Sequence, residues 1–197
     1  MVVPSPPPSN AAAKALLRTT ARTRRKAFFT SLSADERWAL ERRLLPLFMP
    51  CIKRARVLAV YHPHGSEIDP AQLLFWAGNH HVTVAHPAFL TATSTMIFRG
   101  GRCAEDCPVG GVQPPAQAAE VEPDLVLVPL LAVDSVGNRL GQGGGHYDRA
   151  LPALQAKNVP IIGLGWAMQQ VDFLLPTDPW DVPLDAFLSP AGLMEFQ

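Results

Sequence analysis

Residues 124–164 read DLVLVPLLAVDSVGNRLGQGGGHYDRALPALQAKNVPIIGL. The run Asp124-Leu-Val-Leu-Val128 is continuously apolar over the length of a strand, as expected for a strand buried on both faces of a parallel sheet. Residues 130–134 add an extended piece and residues 137–147 a glycine-rich passage. A helix is expected over 148–156, and Pro160-Ile-Ile-Gly-Leu164 returns to a buried strand.

Upstream, Arg56-Val-Leu-Ala-Val-Tyr61 reads as a strand and residues 62–68 as a loop. Asp69-Pro70 opens a helix ending near Gly78. Short strands follow at 82–85 and 95–98, then a long irregular passage at 100–122 of the kind that is usually functional. Residues 183–188 supply a last strand. Strands alternating with helices predict a three-layer α/β/α domain around a mainly parallel, Rossmann-like sheet. The domain is expected to span residues 11–197 behind a Pro- and Ser-rich, disordered tail at 1–10.

Two helices precede the first strand. Residues 11–29 form one, with Leu16, Leu17, Ala21 and Phe28 for its inner face. It carries Lys14, Arg18, Arg22, Arg24, Arg25 and Lys26 without one acid. Lys14, Arg18, Arg22 and Lys26 recur every four residues, a stripe that is either a solvated basic face or the wall of an anion site. Ser33-Ala-Asp-Glu36 is a capping box opening a second helix that runs to about Cys51.

The 197 residues suit one domain, and 48% hydrophobic against 17% charged residues supplies a core. Lys plus Arg balance Asp plus Glu at 17 each, which argues against the bulk basicity of a nucleic-acid binder. No apolar run approaches the length of a membrane helix. The N-terminus lacks the regions of a secretory signal, and three cysteines are too few and odd in number for a disulfide framework. A cytoplasmic location is expected, with an organelle transit peptide as the alternative, and monomer and homodimer both open. Cys103 and Cys107 have no partner pair for zinc. His80-His81 and His62-x-His64 lack ligand spacing with a carboxylate partner, and no Gly-x-Ser-x-Gly elbow is present.

The chemistry concentrates in Arg139-Leu-Gly-Gln-Gly-Gly-Gly-His-Tyr-Asp-Arg149. Each glycine costs about 0.5–1 kcal/mol relative to Ala when held in regular structure. Four of them ahead of a helix suggest a backbone that something must approach closely. A helix N-terminus behind such a loop offers free N–H groups and a positive dipole end to phosphates. The spacing fits neither a P-loop nor the dinucleotide fingerprint, and a flexible surface turn is the other reading. Asp148 would cap the helix or, beside phosphates, hold Mg²⁺, and Asp181 would be a turn residue or a second metal carboxylate.

The same segment, preceded by Asp124-Leu-Val-Leu-Val-Pro129, resembles the 5-formyltetrahydrofolate cyclo-ligase family, whose R-L-G-x-G-x-G-x-Y-D motif it carries. The resemblance runs from Lys14 to about Ser189. It includes Lys14-Ala-Leu-Leu-Arg18, Gly65-Ser-Glu67-Ile-Asp69, and Gln170-Val-Asp-Phe-Leu-Leu-Pro176 through Asp181-Val-Pro-Leu-Asp185. It implies ATP- and Mg²⁺-dependent closure of 5-formyltetrahydrofolate to 5,10-methenyltetrahydrofolate, with ADP and phosphate released. A formamide oxygen leaves poorly as hydroxide, whose parent water has a pKa of about 15.7. Phosphorylation makes it a good leaving group, and N10 then closes the ring.

By the same resemblance, Lys14, Arg18, Arg139, Leu140 and the segment Gly141, Gln142, Gly143, Gly144, Gly145, His146 and Tyr147 bind ATP. Lys14 and Arg139 also assist catalysis. Glu67 and residues 142–146 meet the folate, and Asp148 and Asp181 serve Mg²⁺. The chain departs from the family's habit at Val133, Gln142 and His146, and at Gly111-Val-Gln-Pro-Pro115, where Pro114 replaces an acid. The competing expectations are a ligase or kinase of this fold acting on another small molecule, and a folate- or nucleotide-binding module without turnover.

Overall fold

The computed structural model describes residues 10–89, 91, 94–101, 105–107 and 111–196. The expected tail at 1–10 therefore lies outside the described residues except for Asn10, which is helical. Seven strands form one sheet in the order β11-β10-β9-β6-β1-β2-β3. The strands are β1 (Val57–Val60), β2 (Thr83–Ala88), β3 (Ile97–Gly100), β6 (Leu125–Pro129), β9 (Ile161–Leu164), β10 (Ala186–Ser189) and β11 (Gly192–Glu195). The central five are parallel, while β3 and β11 pair antiparallel at the two edges. Strand β11 has no counterpart among the expected strands, because Gly192-Leu-Met-Glu195 is short and lacks the apolar run that marks a central strand.

Strand alternation divides the interior into two layers. Leu58, Val60, Leu125, Leu127, Ile162, Leu164, Ala186 and Leu188 face one side, where they meet Leu44, Phe48, Ile52 and Leu73. The helices on that side are α1 (Asn10–Ser31), α2 (Ala34–Glu41), α3 (Leu44–Ile52) and α4 (Ala71–Asn79). Ala59, Val126, Val128, Ile161 and Phe187 face the other, against Ala150, Leu151 and Leu154 of α5 (His146–Ala156). The three-layer α/β/α arrangement around a mostly parallel sheet is thus present. None of the described helices is long and apolar enough to cross a membrane.

Three sequence expectations need correction. The single helix expected from Ser33 to about Cys51 is two, α2 and α3. The Ser33 box is formed, but Pro46 in the first turn of α3 cannot donate an N–H, and its ring would clash with the carbonyl of Arg42 in a continuous helix. The passage at 100–122 contains a two-stranded hairpin, β4 (Glu105–Cys107) with β5 (Gly111–Gln113). The inner face of α1 also differs: Leu16 is 70% exposed, whereas Lys14 and Arg25 are buried. Eleven residues at 3.6 per turn return to within about 20° of the same face, while twelve miss it by about 120°. Arg25, not Lys26, therefore shares a face with Lys14.

The chain leaves β1 for β2 and β3 on one side, then returns to β6 on the other. The strand order thus reverses between β1 and β6, and a crevice opens beyond their carboxyl ends, where ligands of open α/β sheets bind.

Candidate active site

A small hairpin builds one wall of that crevice. Strands β7 (Ala132–Val133) and β8 (Arg139–Leu140) pair antiparallel, and the loop between them winds around Asp134. The Asp134 carboxylate is fully buried and accepts from the backbone N–H of Val136, Asn138 and Leu175, and from Asn138 Nδ2, at 2.8–3.0 Å. With every bond satisfied, the loop is rigid and delivers Arg139 in one direction.

The Arg139 side chain is 6% exposed, and its Nη2 donates to Asp148 Oδ1 at 2.5 Å. Its guanidinium lies 5.6 Å from the ring centre of Tyr147, and burial pushes the Tyr147 hydroxyl far above the usual phenol range. Arg139 Nε is buried and has no hydrogen-bond partner among the described residues. A buried guanidinium N–H without an acceptor is costly.

After Leu140 the chain turns through Gly141–Gly145 into α5. Gly143 and Gly145 have φ of +98° and +67°, conformations that strain any side chain with a Cβ. A Cβ on Gly143 would also come within 3.3 Å of Arg18 Nε. Gly145 is the N-cap and contributes no side chain, so the helix N-terminus is open. The helix begins two residues before the expected Asp148. Arg18 Nε donates to Gly141 O at 3.1 Å, and Arg22 donates to Gln142 O and Oε1. Helix α1 thereby holds the loop.

On one side of this loop, Ala11, Lys14, Arg18, Arg139, Gly141, Asp148, Trp180 and Asp181 surround a cavity of about 170 Å³. Lys14 Nζ donates to Asp178 at 2.6 Å and to Asp181 at 2.5 Å. Burial pulls the Lys14 ammonium down, but the two carboxylates outweigh it and hold the pKa above the ordinary value. Lys14 therefore stays cationic.

On the other side, a cleft of about 200 Å³ is bounded by Tyr61, His62, His64, Glu67, Phe89, Pro129, residues 141–147, Arg139 and Asp148. Glu67 is fixed there: Oε1 accepts from Arg25 Nη1 at 3.3 Å and Gln142 Nε2 at 3.0 Å, and Oε2 from His64 N at 3.0 Å. Phe89 stacks at a tilt on His146, 4.5 Å between ring centres. Gln113, at the end of β5, accepts from Phe89 N at 2.9 Å and so anchors that wall. Burial and then Arg149 lower the His146 pKa, leaving a neutral ring at pH 7. Arg139, Gly141 and Asp148 border both cavities.

The family model for the 5-formyltetrahydrofolate cyclo-ligase family matches residues 10–190. The chain belongs to this family. A 5-formyltetrahydrofolate cyclo-ligase of Haemophilus influenzae is 36% identical over 145 residues, covering 67% of this chain and 74% of the relative. One from Escherichia coli is 28% identical over 158 residues, 75% and 85% of the two chains. Among solved structures, a 5,10-methenyltetrahydrofolate synthetase of Mycoplasma pneumoniae matches with a TM-score of 0.70 at 26% identity, covering 90% of this chain and 98% of that one. An Aquifex aeolicus synthetase at 24% identity shares the fold, with a TM-score of 0.78 over 93% of each chain.

Against that family background, Lys14, Arg18, Glu67 and the whole segment from Arg139 to Asp148 converge on the crevice. Asp148 and Asp181 border one cavity, yet each is bonded to a different cation, Arg139 or Lys14. Among the described residues no three His, Cys, Asp or Glu side chains form a group that could hold a metal by themselves. Arg25, Asp178, Tyr61 and Phe89 belong to the site although no motif announces them, and Gln113 joins it from the Gly111–Pro115 stretch. Only the eleven-residue spacing from Lys14 could have singled out Arg25.

Proposed function

We infer that this chain closes 5-formyltetrahydrofolate to 5,10-methenyltetrahydrofolate at the expense of ATP. The observation that carries the mechanism is the pair of cavities meeting at Arg139, Gly141 and Asp148. The one lined by Lys14, Arg18 and Arg139 suits a triphosphate chain. The one lined by Glu67, Phe89 and His146 suits a flat heterocycle with N–H donors. The terminal phosphate would then stand at the wall where the formyl group lies.

The formyl oxygen attacks the terminal phosphorus and ADP leaves. N10 adds to the activated formyl carbon and gives up its proton, and expulsion of phosphate, which leaves with the former formyl oxygen, completes the five-membered ring. Arg139, with its unpartnered Nε, stabilises the charge moving onto the transferred phosphoryl oxygens. The open N-terminus of α5 and the Gly-rich backbone supply further N–H donors. Lys14 and Arg18 position the chain, and Glu67 accepts N–H bonds from the pterin.

The donor set fits Mg²⁺ arriving with the nucleotide. Asp148 and Asp181 offer hard carboxylate oxygens on one cavity wall, and this ion takes one or two carboxylates beside phosphate and water. When bound it would neutralise phosphate charge. Purified protein with ATP, Mg²⁺ and 5-formyltetrahydrofolate should develop the near-ultraviolet absorbance of the methenyl product, and Asp148→Asn should abolish it while the circular dichroism spectrum stays unchanged. ATP binding without product would redirect the search to another substrate, with Gln142 and His146 the first positions to change.

A further inference from the structure

The two oxygens of Glu67 are loaded unequally. Oε1 accepts from both Arg25 Nη1 at 3.3 Å and Gln142 Nε2 at 3.0 Å. Among the described residues Oε2 accepts from His64 N alone, at 3.0 Å. A carboxylate oxygen offers about two acceptor positions, so Oε1 is filled and Oε2 keeps one free. A heterocycle edge with two adjacent N–H groups needs one position on each oxygen. One donor on Oε1 must therefore withdraw before such an edge can dock.

The two donors differ in freedom. Arg25 is 5% exposed and is bonded as well to Ser66 Oγ and to the carbonyl of Leu130. Gln142 is exposed on the Gly-rich loop, and its amide is oriented from outside the cleft. Arg22 Nε, which can only donate, takes Gln142 Oε1 at 3.1 Å and so leaves Nε2 for Glu67. Arg22 Nη2 also donates to the backbone carbonyl of Gln142 at 2.6 Å. Arg22 is itself exposed, so no buried group loses a partner when the amide swings away from Glu67, which keeps Arg25 and His64. We propose that Gln142 is a latch on the cleft: its amide, held by Arg22, occupies the Glu67 oxygen that the pterin edge takes, and it lowers substrate affinity by competing for that oxygen. Gln142 is then a group the substrate displaces and not one of its contacts. This proposal rests on the reading of Glu67 as the pterin acceptor.

The test measures affinity for 5-formyltetrahydrofolate and, with Mg²⁺, for ATP by calorimetry. It uses wild type, Gln142→Met, Arg22→Met, the double variant and Glu67→Gln. Methionine keeps the length of glutamine and cannot donate to Glu67. Gln142→Met should bind 5-formyltetrahydrofolate about 3- to 10-fold more tightly, with ATP affinity within about two-fold, because one net hydrogen bond no longer has to be broken. Arg22→Met frees the amide from its anchor and should gain in the same direction, by less. The double variant should gain no more than Gln142→Met, since both changes act on one contact. Unchanged folate affinity in Gln142→Met overturns the latch, and weakened affinity does so by making Gln142 a substrate contact. Gains that multiply in the double variant overturn it too. Glu67→Gln reads the underlying assignment alone: if folate affinity is unaltered there, Glu67 is not the pterin acceptor and the latch falls with it.

Discussion

Arg25 donates to Ser66 Oγ, to Glu67 Oε1 and to the carbonyl of Leu130, so one buried guanidinium joins α1, the loop after β1 and the end of β6. Its pairing leaves Glu67 with a fixed orientation in the cleft beside Phe89 and His146. Charge-assisted bonds to such a carboxylate are worth about 1.5–3 kcal/mol. Glu67→Gln should therefore raise KM for 5-formyltetrahydrofolate by about 10- to 150-fold and leave KM for ATP nearly unchanged. Arg25→Met should act in the same direction, and the double variant should show less than the product of the two effects. Strict multiplicativity would mean that Arg25 supports packing and not Glu67. At the opposite wall, Arg139→Met removes the orphaned donor, and kcat should fall by about 10²- to 10³-fold. A rise in KM for ATP with kcat intact would reduce Arg139 to a binding residue.

Among the elements, the β7–β8 hairpin decides whether Arg139 is aimed. Gly137 sits in its loop at φ +86°, and a Cβ there would stand 2.7 Å from the carbonyl oxygen of Leu184, to which Gly137 is already joined through the Leu184 N–H on its own carbonyl. Neither the backbone angle nor the neighbouring carbonyl can yield cheaply. Gly137→Ala should destabilise the protein by about 1–3 kcal/mol in urea unfolding, and an unaltered midpoint would show that the loop relaxes freely. Helix α1 is legible in the sequence as a helix, but which of its cations turn inward is not. A four-residue spacing drifts around the helix, and the burial of a charge depends on acceptors that come from distant segments, Asp178, Glu67 and Leu130 among them. The single helix expected through Pro46 overlooks a local signal, since the missing N–H and the ring of that residue act within one turn of the chain.

Across the whole molecule, the reversal of strand order between β1 and β6 gathers both cavities at one edge of the sheet. His86 lies in β2, buried, and its Nδ1–H donates to the carbonyl of Val60 in β1 at 2.9 Å. Burial lowers its pKa, with His62 acting in the same direction, and burial lowers that of His146 as well. Unfolded histidine protonates near pH 6.5, so below that pH the unfolded chain takes up more protons than the folded one. This part of the stability is present above about pH 6.5 and is lost as pH falls from there toward the lower folded-state values. Asp178, held below the usual carboxylate range by the Lys14 hydrogen bond, loses its contribution only in more acid solution. Urea midpoints measured between pH 7.5 and 5.5 should decline, and His86→Gln should flatten the decline. An unchanged slope would assign it to other groups.

The α/β class was written in local signals: continuous apolar runs at 125–128 and 161–164, a capping box at Ser33, and glycines where φ must be positive. These act over a few residues and survive without knowledge of the rest of the chain. The Gly-rich loop and its flanking Arg139 and Asp148 were equally visible, because positive φ at Gly143 and Gly145 and the nearness of Arg18 and Arg139 restrict residue type at adjacent positions. The edge strand β11, the pairing of Lys14 with two aspartates and the burial of Arg25 were decided by the tertiary structure. So was the meeting of two cavities at one wall. Each joins segments far apart in sequence, and the energy that fixes it is that of a buried charge finding its acceptor or an edge strand finding its neighbour, which no local stretch contains.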